Sequence, residues 1–311
     1  MQKSKCSKCG AKAVIFRDYE GVALCRGHFL RSIEKRVKKV VRKHGMIEPG
    51  DRIGVALSGG KDSAVALHLM NMIVGNRPDV SIIAISINEG IRGSRDLALK
   101  KSVELCKKLD IEQHTFSYKE EFGKSLDEKV KEMGLGKDDV CGLCGVSRRW
   151  ILNKKARELK VTKLCFGMNL DDEAESIMMN YVRGDIPRAC RLGPVTKYST
   201  KRKGGDMFIP RIKPLRWIPE KEVGLYARLA GLPFRPKECK YRGGLRVDVE
   251  KALLDLEKKH VGLMFTVVNT FDRMLPGIKK TLDSKETAIK KCKICGEPGS
   301  HEVCKACELW R

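Results

Sequence analysis

The chain of 311 residues is long enough to bury the core of one large α/β domain with small appendages, or of two domains. Its 63 Lys and Arg outnumber its 39 Asp and Glu, and the formal charge of +24 favours a polyanionic partner, nucleic acid first, although part of these charges simply solvate helix faces. No run of about 18 apolar residues occurs, and the opening MQKSKCSKCG lacks the apolar core of a signal peptide. The sequence therefore predicts a cytoplasmic protein that does not associate with a membrane.

The first candidate site is a set of four metal ligands. Cys6 and Cys9 form a CxxC pair, and Cys25 and His28 form a CxxH pair fifteen residues further on. Thiolates and imidazoles in two close pairs are the donors that tetrahedral Zn²⁺ prefers, and cysteines in a reducing compartment are more often metal ligands than disulfides. The spacing predicts a structural zinc finger over residues 1–30.

The next segment, LRSIEKRVKKVVRKHG, predicts an amphipathic helix over residues 30–45. Its apolar face carries Ile33, Val37, Val40, Val41 and His44. Its basic face, with Arg36, Lys39 and Lys43, is a candidate contact for RNA phosphates, although a solvated helix face has the same pattern.

The segment DRIGVALSGGKDSAVALHLM predicts a buried strand over Ile53–Leu57, then a glycine turn and a helix. Gly59 and Gly60 leave backbone N–H groups free to point at an anion, and the positive N-terminus of the helix adds its dipole. A Walker A loop is excluded, because it requires Gly where Val55 stands and Ser or Thr where Asp62 stands. The turn therefore predicts a phosphate-binding site of another kind.

Further strands are predicted at Val80–Asn88, Ile111–Ser117 and Lys163–Asn169, with helices over Ser94–Leu109 and Val146–Leu159 between them. Strands that alternate with helices indicate an α/β fold with a doubly wound parallel sheet. Ligands of such sheets bind at the carboxyl ends of the strands, where SGGKDS, NEGIRG and GMNLDDEAE all fall.

The middle of the chain carries CGLCG, in which Cys141 and Cys144 have no second pair nearby, and Cys239 stands alone in KECKYRGG. Three thiolates are too few for a closed structural zinc site and one too many for a disulfide. They suit an iron–sulfur cluster with one open iron or a catalytic dithiol beside a third thiol, while inert buried thiols are the structural alternative. The glycine after each of the paired cysteines is expected to let the backbone turn closely around a bulky inorganic centre. Three other cysteines are typical of ordinary core or helix positions: Cys106, Cys165 and Cys190.

In GMNLDDEAE, Asp171 and Asp172 stand at the first turn of a predicted helix that runs to about Arg183. Acidic residues cap helix N-termini for purely structural reasons. Beside a nucleotide the same carboxylates are also suited to hold Mg²⁺, so both interpretations stay open.

Two more basic features and a second cysteine set complete the chain. The loop KYSTKRKGGD, residues 197–206, is predicted to track RNA phosphates together with Arg183, Arg188 and Arg191. At the C-terminus two CxxC pairs lie eight residues apart and predict a zinc ribbon over residues 286–311. Its four ligands are Cys292, Cys295, Cys304 and Cys307.

Taken together, these motifs resemble those of the tRNA 2-thiouridine synthetases of the NcsA and TtuA kind, within the PP-loop ATP pyrophosphatase superfamily. The resemblance spans nearly the whole chain: the CxxC and CxxH pairs, SGGKDS, CGLCG followed by an arginine pair, GMNLDDEAE, a late lone cysteine followed by Tyr, and the double CxxC. It implies an adenine nucleotide alpha hydrolase-like catalytic domain over residues 31–285, flanked by N- and C-terminal zinc fingers. Two positions depart from the family pattern: Met168 replaces a usual His, and Asn88 replaces a usual Asp.

The resemblance implies roles for particular residues. Cys141, Cys144 and Cys239 would hold a 4Fe-4S cluster, and Asp172 and Arg148 would contact the nucleotide or assist its activation. The substrate ATP, with Mg²⁺, would be bound by a set of residues around the strand ends: Ala56, Leu57, Ser58, Gly59, Gly60, Lys61, Asp62, Ser63, Ile85, Gly167, Asp171 and Asp172.

The implied reaction adenylates the C2 oxygen of a tRNA uridine, releases pyrophosphate, and then replaces that oxygen by sulfur from the cluster. The segment MNYVRGDIPRACRL is more similar to the members that thiolate the wobble uridine than to those that act on the T-loop uridine. The implied partners are tRNA and a sulfur donor, either sulfide or a sulfur-carrier protein, and a homodimer is expected. Three alternatives stay open: persulfide transfer on Cys141 or Cys144 without a cluster, a non-thiolating PP-loop ligase, and a zinc-dependent RNA-binding protein without activity.

Overall fold

The structure, a computed structural model, describes residues 4–75, 77–93, 95–196, 205–236, 239–282 and 289–311. Its centre is a six-stranded sheet with the strand order β5-β4-β3-β6-β8-β7. These strands are β3 (Arg52–Ala56), β4 (Ser81–Asn88), β5 (Gln113–Ser117), β6 (Lys163–Cys165), β7 (Val195–Thr196) and β8 (Arg211–Ile212). Two further hairpins lie outside it, β1 (Ile15–Arg17) with β2 (Val22–Leu24) and β9 (Lys290–Lys291) with β10 (Pro298–Gly299).

The first five strands of that order run parallel, which confirms the predicted doubly wound parallel sheet. The edge strand β7 differs, because it pairs antiparallel with β8 through Val195 and Ile212. An antiparallel edge strand on an otherwise parallel sheet is common in α/β folds. The sheet therefore presents the carboxyl ends of β3, β4, β5, β6 and β8 on one side.

The helices before the middle of the chain are α1 (Arg26–Lys43), α2 (Lys61–Val74), α3 (Arg95–Leu109), α4 (Tyr118–Phe122), α5 (Leu126–Met133) and α6 (Lys137–Glu158). Those that follow are α7 (Leu170–Val182), α8 (Ile186–Ala189), α9 (Glu220–Leu229), α10 (Leu245–Lys259), α11 (Leu263–Leu282) and α12 (Lys305–Trp310). A short 3-10 turn spans Gly205–Met207. Among the residues described, no helix is long and apolar enough to cross a membrane.

Two hydrophobic clusters cover the two faces of the sheet. One packs side chains of α1, α2 and α9 against β3, and the other packs α4, α5 and α6 against β4. The helix predicted over residues 30–45 is α1, and its apolar face is buried at Ile33, Val37, Val40 and Val41, as expected. His44 lies at the C-terminal end of that helix and is only half-buried, because the chain turns at Gly45.

The largest difference from the sequence-based elements concerns CGLCG. The helix predicted to begin at Val146 begins at Lys137, so CGLCG is helical and not a glycine turn. Glycine costs a helix about 1 kcal/mol relative to alanine, but Val140 and Leu143 are buried on the same turns and offset that cost. Cys141 and Cys144 therefore stand one helical turn apart on α6.

Candidate active site at the strand ends

The SGGKDS turn follows β3 at the carboxyl edge of the sheet and is held by its own serines. The Ser63 hydroxyl donates to the Gly60 carbonyl at 3.0 Å and accepts from the Ser58 backbone N–H at 3.1 Å. Gly59 has φ of +80°, and a Cβ there would lie 2.3 Å from the Ala98 carbonyl oxygen. Only glycine meets both conditions, so the loop is preformed at the N-terminus of α2.

Lys61 and Asp62 open helix α2 and face the rest of the site. The Lys61 ammonium lies 3.1 Å from Asp62 Oδ2 and 2.5 Å from Glu220 Oε1 at the start of α9. The carboxylate charges raise the pKa of Lys61 against the opposing effect of burial, so the ammonium stays charged. Asn169 Nδ2 donates to Asp62 Oδ1 at 3.1 Å and connects this helix to the start of α7.

The GMNLDD segment packs directly on the phosphate loop. A Cβ at Gly167 would lie 2.6 Å from the carbonyl of Asp62, so this glycine is required for the close approach. Asn169 caps α7 by a reciprocal pair of bonds with Asp172, whose backbone N–H donates to Asn169 Oδ1 at 3.0 Å. The capping interpretation of Asp172 is therefore correct, but its second oxygen lies 3.4 Å from Arg246 Nη1.

The carboxylates around α7 occupy a poorly solvated position. Burial raises the pKa of Asp171 to about 6, although its Oδ2 accepts the Glu220 N–H at 2.8 Å. Burial also raises the pKa of Asp172, and it raises that of Glu175 to about 8 beside Arg246. Groups of this kind bind a cation readily, because a positive charge restores the solvation that burial removes.

Three residues of the predicted nucleotide set lie in the sheet or directly after one of its strands. Ala56 ends β3 and pairs with Ile85 in β4, and the Ile85 carbonyl accepts the Leu57 N–H at 2.8 Å. The side chains of Leu57 and Ile85 are each 1% exposed. Their contribution to a nucleotide site is therefore to shape the floor beneath the loop.

The thiols of Cys141, Cys144 and Cys239 gather beside this edge of the sheet. Cys141 on α6 is exposed, and its thiol donates to the Tyr241 carbonyl at 3.2 Å, which brings the segment after Cys239 onto the helix. Cys144 and Cys239 pack in the same hydrophobic cluster, and the charge of one thiol acts on the other. Cys239 also lines a cavity of about 380 Å³ against α10. The three thiols that the sequence separates by nearly a hundred residues are thus neighbours.

Arg148 and Tyr118 surround the Cys144 thiol. The Tyr118 hydroxyl donates to the Cys144 carbonyl at 2.8 Å and lies 3.6 Å from its sulfur. Burial raises the pKa of the Cys144 thiol, and the Arg148 guanidinium opposes that rise. The charge of Cys144 in turn raises the pKa of Arg148. The guanidinium therefore supplies positive charge near two thiols, although burial keeps the pKa of Cys144 above its ordinary value.

The donor set distinguishes a single ion from a larger group. Among the described residues, only the two terminal sets bring three or more such ligand atoms within 4.8 Å of one another. The three central thiols therefore do not converge on one ion. Three thiols on neighbouring segments that do not converge on one ion, with a guanidinium beside them, are compatible with an iron–sulfur cluster that has more than one iron.

The two terminal sets have the geometry of single-ion sites. In the first, His28 Nδ1 lies 3.5 Å from Cys6 Sγ and 3.3 Å from Cys25 Sγ, and Cys9 Sγ lies 3.7 Å from Cys25 Sγ. In the second, Cys295 Sγ lies 3.7 Å from Cys304 Sγ, and Cys292 Sγ accepts the Cys304 N–H at 3.3 Å. Donors at these separations fit one tetrahedral ion with Zn–S bonds of about 2.3 Å.

Sequence reasoning missed several charged residues of the site. Arg95, Glu220 and Arg246 contact Ser58, Lys61 and Asp172 from elements that are distant in sequence. Glu89 lies in the NEGIRG segment, which the sequence predicts at a strand end. The sequence did not predict its ion pairs with Arg95 and Arg148. Three other cysteines were predicted to occupy ordinary core or helix positions. Cys106 and Cys165 are buried in the core, and Cys190 is half-buried at the end of α8.

Comparisons with known proteins agree with this geometry. Residues 29–241 match the model of the PP-loop domain, and residues 5–30 match that of the N-terminal LIM domain of the 2-thiouridine synthetase TtuA. The chain is therefore a PP-loop protein.

Proteins that are similar to this chain over nearly its whole length identify the family within the PP-loop proteins. The tRNA 2-thiolation protein NcsA of Haloferax volcanii is 36% identical over 98% of both chains, and the cytoplasmic tRNA 2-thiolation protein 1 of Xenopus laevis is 33% identical over 98% of this chain and 87% of its own. The structure of the U34-tRNA thiolase NcsA from Methanococcus maripaludis with its [4Fe-4S] cluster covers 99% of this chain and 96% of its own, with a TM-score of 0.82 and 34% identity. The chain belongs to the family of tRNA 2-thiolation proteins.

Proposed function

We propose that this protein is a tRNA uridine 2-sulfurtransferase that uses ATP to thiolate the wobble uridine of tRNA. The observation that carries the proposal is the shared position of a preformed phosphate loop and three thiols at one edge of the sheet. Arg95 donates to the Ser58 carbonyl at 2.7 Å on the loop side, and the charge of Cys144 acts on the same guanidinium from the thiol side. A single bound uridine can therefore be adenylated and then receive sulfur without moving to a second site.

The first step is assigned to the phosphate loop. The C2 oxygen of uridine attacks the α-phosphate of ATP, and pyrophosphate leaves. The loop N–H groups and Lys61 would neutralise the charge that develops on the leaving group, and we propose Asp62, Asp171 and Asp172 as the carboxylates that would bind Mg²⁺ together with the triphosphate. In the resting protein Lys61 is paired with Glu220 at 2.5 Å, so binding of the triphosphate exchanges one anion for another.

The second step is assigned to the thiol site. Cys141, Cys144 and Cys239 are the residues that would hold a 4Fe-4S cluster, which supplies an open iron able to present hydrosulfide to C2. Sulfur attack at C2 breaks the bond between C2 and the activated oxygen, so the oxygen leaves on AMP and no net oxidation occurs. Arg148, beside Cys144, is placed to stabilise the negative charge that passes through this step.

The terminal modules are proposed to bind one Zn²⁺ each, at residues 1–30 and 286–311, on either side of a catalytic domain over residues 31–285. The ligand separations support two closed sites of the structural type. The cytoplasm is proposed as the location of the protein and a homodimer as its assembly.

A basic surface is proposed for tRNA. Helix α1 carries eight Lys and Arg against one acidic residue, and the groove of about 580 Å³ beside it is lined by Lys35, Lys38, Lys39 and Arg42. Arg183, Arg188 and Arg191 are exposed at or beside α8 and are proposed as further contacts for RNA phosphates. Of the predicted loop 197–206, residues 197–204 lie outside the described residues. Affinity that rests on such contacts falls steeply with salt.

The test is an anaerobic assay with ATP, Mg²⁺, sulfide and full-length tRNA, in which pyrophosphate and 2-thiouridine are measured together with iron and zinc per chain. Thiolation of wobble uridine, lost in Cys239→Ala together with iron, is the expected result. Iron-free protein that thiolates when a persulfide donor replaces sulfide supports persulfide transfer on Cys141 or Cys144, because the outer sulfur of the donor is already at the persulfide level. Thiolation at the T-loop uridine would identify that base, and not the wobble uridine, as the substrate. Release of pyrophosphate without 2-thiouridine indicates a non-thiolating ligase. Binding of tRNA without release of pyrophosphate indicates an RNA-binding protein.

A further inference from the structure

A buried glutamate links the two halves of the candidate active site. The Glu89 side chain is 5% exposed, and its Oε2 lies 2.8 Å from Arg95 Nε. Its other oxygen, Oε1, lies 3.8 Å from Arg148 Nη1. One carboxylate therefore stands between two guanidinium groups, each of which belongs to a different half of the site.

The Arg95 end is anchored on the phosphate loop. Its Nη1 donates to the Ser58 carbonyl at 2.7 Å, and its side chain is 10% exposed. Burial lowers the pKa of Arg95, Glu89 opposes that effect, and the charges of Arg148 and Arg235 lower the pKa further. Without the carboxylate, these guanidinium groups would repel one another across a poorly solvated space.

The Arg148 end is directed at the thiols. Its side chain is 46% exposed, and Glu89 is the carboxylate that pairs with it within the described residues. The charges that act on Arg148 come from Cys144, Glu89, Tyr118 and Cys239. A buried carboxylate is thus the ion-pair partner of this long, half-exposed side chain.

The position of Glu89 is itself fixed by the backbone. Its carbonyl accepts the Leu126 N–H at 2.8 Å, and the Asn88 side chain accepts the Gly90 N–H at 2.9 Å. A Cβ at Gly90, where φ is +72°, would lie 2.5 Å from Ser125 Cβ at the start of α5. The turn after β4 therefore holds the carboxylate in one place between the loop and the thiols.

We propose that Glu89 is a positioning residue that aligns the sulfur-transfer step with the bound nucleotide. It acts through Arg148, which it holds toward the thiols, and it takes its own position from Arg95 on the phosphate loop. The inference rests on the proposed function, since it assigns the coupling between the two steps of that reaction. Glu89 touches neither ATP nor a thiol itself.

The test compares Glu89→Gln with the matched variant Glu121→Gln. Glu121 on α4 is 9% exposed and also lies between two cations, Lys154 and Lys155 on α6, but on the helix turns beyond the site. Both variants remove one buried carboxylate charge beside α6. Each is assayed in single turnover with ATP, Mg²⁺, sulfide and full-length tRNA, and iron per chain and the thermal midpoint are measured alongside.

For Glu89→Gln we expect pyrophosphate release within about threefold of the unchanged protein, because Arg95 keeps its bond to Ser58. The ratio of 2-thiouridine to pyrophosphate is expected to fall about tenfold, with iron per chain retained. Glu121→Gln is expected to keep that ratio. The double variant Glu89→Gln with Arg148→Gln is expected to match Arg148→Gln alone, because the two residues act in one chain of contacts.

Independent, multiplying effects of Glu89→Gln and Arg148→Gln would overturn the proposal. So would an equal fall in pyrophosphate release and thiolation, or the same change of ratio in Glu121→Gln. If Glu89→Gln does not fold, Glu89→Asp keeps the charge but withdraws it by one methylene, and an unchanged ratio in that variant contradicts the proposal. A failure of the proposed function itself is distinct, since the unchanged protein would then form no 2-thiouridine.

Discussion

The two halves of the candidate site are built in different ways. The phosphate half is shaped mainly by close backbone packing, of Gly59 on Ala98 and of Gly167 on Asp62, and the hydroxyls of Ser58 and Ser63 bond to one another within the loop. The thiol half consists of side chains on helix α6 and on the segment around Cys239. A backbone site is rigid without its ligand, whereas a side-chain site depends on what holds its helix in place.

Each half of the site rests on helices that a terminal cysteine module contacts, the N-terminal module at the phosphate half and the C-terminal module at the thiol half. The N-terminal module docks on α9 through a buried ion pair between Arg17 and Glu222, and α9 begins at Glu220, the partner of Lys61. The C-terminal module docks on α4 and α6 through Trp310, whose ring stacks on Phe122 of α4 at 4.4 Å and whose Nε1 donates to Ser147 of α6 at 2.7 Å. The C-terminal module also pairs its buried Glu297 with Arg157 of α6, so the stacked aromatic contact, and not the absence of charge, distinguishes its docking from that of the N-terminal module.

The largest expected effect tests the ionic support. Glu222 is fully buried and accepts from Arg17 Nε at 3.0 Å and Nη2 at 2.7 Å. Glu222→Gln leaves the Arg17 guanidinium buried without its main counter-charge, and should lower the free energy of unfolding by about 3–5 kcal/mol. Denaturant unfolding measures it. Glu20→Gln, at a half-exposed partner of the same arginine, should cost less than about 1 kcal/mol, and equal losses would refute the distinction.

The second test concerns the backbone character of the phosphate half. Gly59→Ala places a methyl group 2.3 Å from a carbonyl oxygen at a positive φ and should cost about 2–3 kcal/mol. Gly60→Ala has ordinary φ and no neighbour nearer than Ser58 Oγ at 3.5 Å, so its fold should be unaffected. The thermal midpoints of the two variants are compared. Equal losses in Gly59→Ala and Gly60→Ala would contradict the assignment of the effect to the close packing and positive φ of Gly59.

The third test concerns the aromatic support of the thiol half. Trp310→Ala removes the stacking on Phe122 and the 2.7 Å bond from Trp310 Nε1 to Ser147 Oγ, which should cost about 2 kcal/mol because the ring is only half-buried. Trp310→Phe keeps the stacking and should cost about 1 kcal/mol. Iron retained per chain after gel filtration is expected to fall in the order of these losses. Iron loss without any loss of stability would contradict the inference that the C-terminal module acts by stabilising the packing of the thiol half.

The smallest effect is a pH dependence beside Lys61. Burial raises the pKa of Asp171 from 3.8 to about 6, so the folded state binds more protons than the unfolded state between those values. This group therefore makes stability fall as the pH rises from about 4 to 6, and Asp171→Asn removes that fall while its amide oxygen still accepts the Glu220 N–H. The thermal midpoint of Asp171→Asn should exceed that of the unchanged protein at pH 8 and match it at pH 4. A constant difference across this range would contradict the assignment.

The sequence predicted the local chemistry well. Periodicity located β3, β4 and the amphipathic helix α1, because burial of one face imposes a spacing that is visible in the residues themselves. The pairs CxxC and CxxH identified two four-ligand sites, since metal geometry restricts the spacing within each pair. SGGKDS identified the phosphate loop, because a preformed anion site needs glycine at the residue that has positive φ.

Only the tertiary structure decided how these pieces act together. The grouping of Cys239 with Cys141 and Cys144 was predicted from the count of unpaired cysteines and from the resemblance, not from their spacing, and the pairings of Glu89 with Arg95 and Arg148 were not predicted. The start of α6 at Lys137 was missed because glycines in CGLCG weaken the local helix signal, while the burial of Val140 and Leu143 stabilises it. Spacing along the chain reports contacts within a turn of helix or strand. Contacts between elements depend on the sheet order, which brings residues far apart in sequence to one edge.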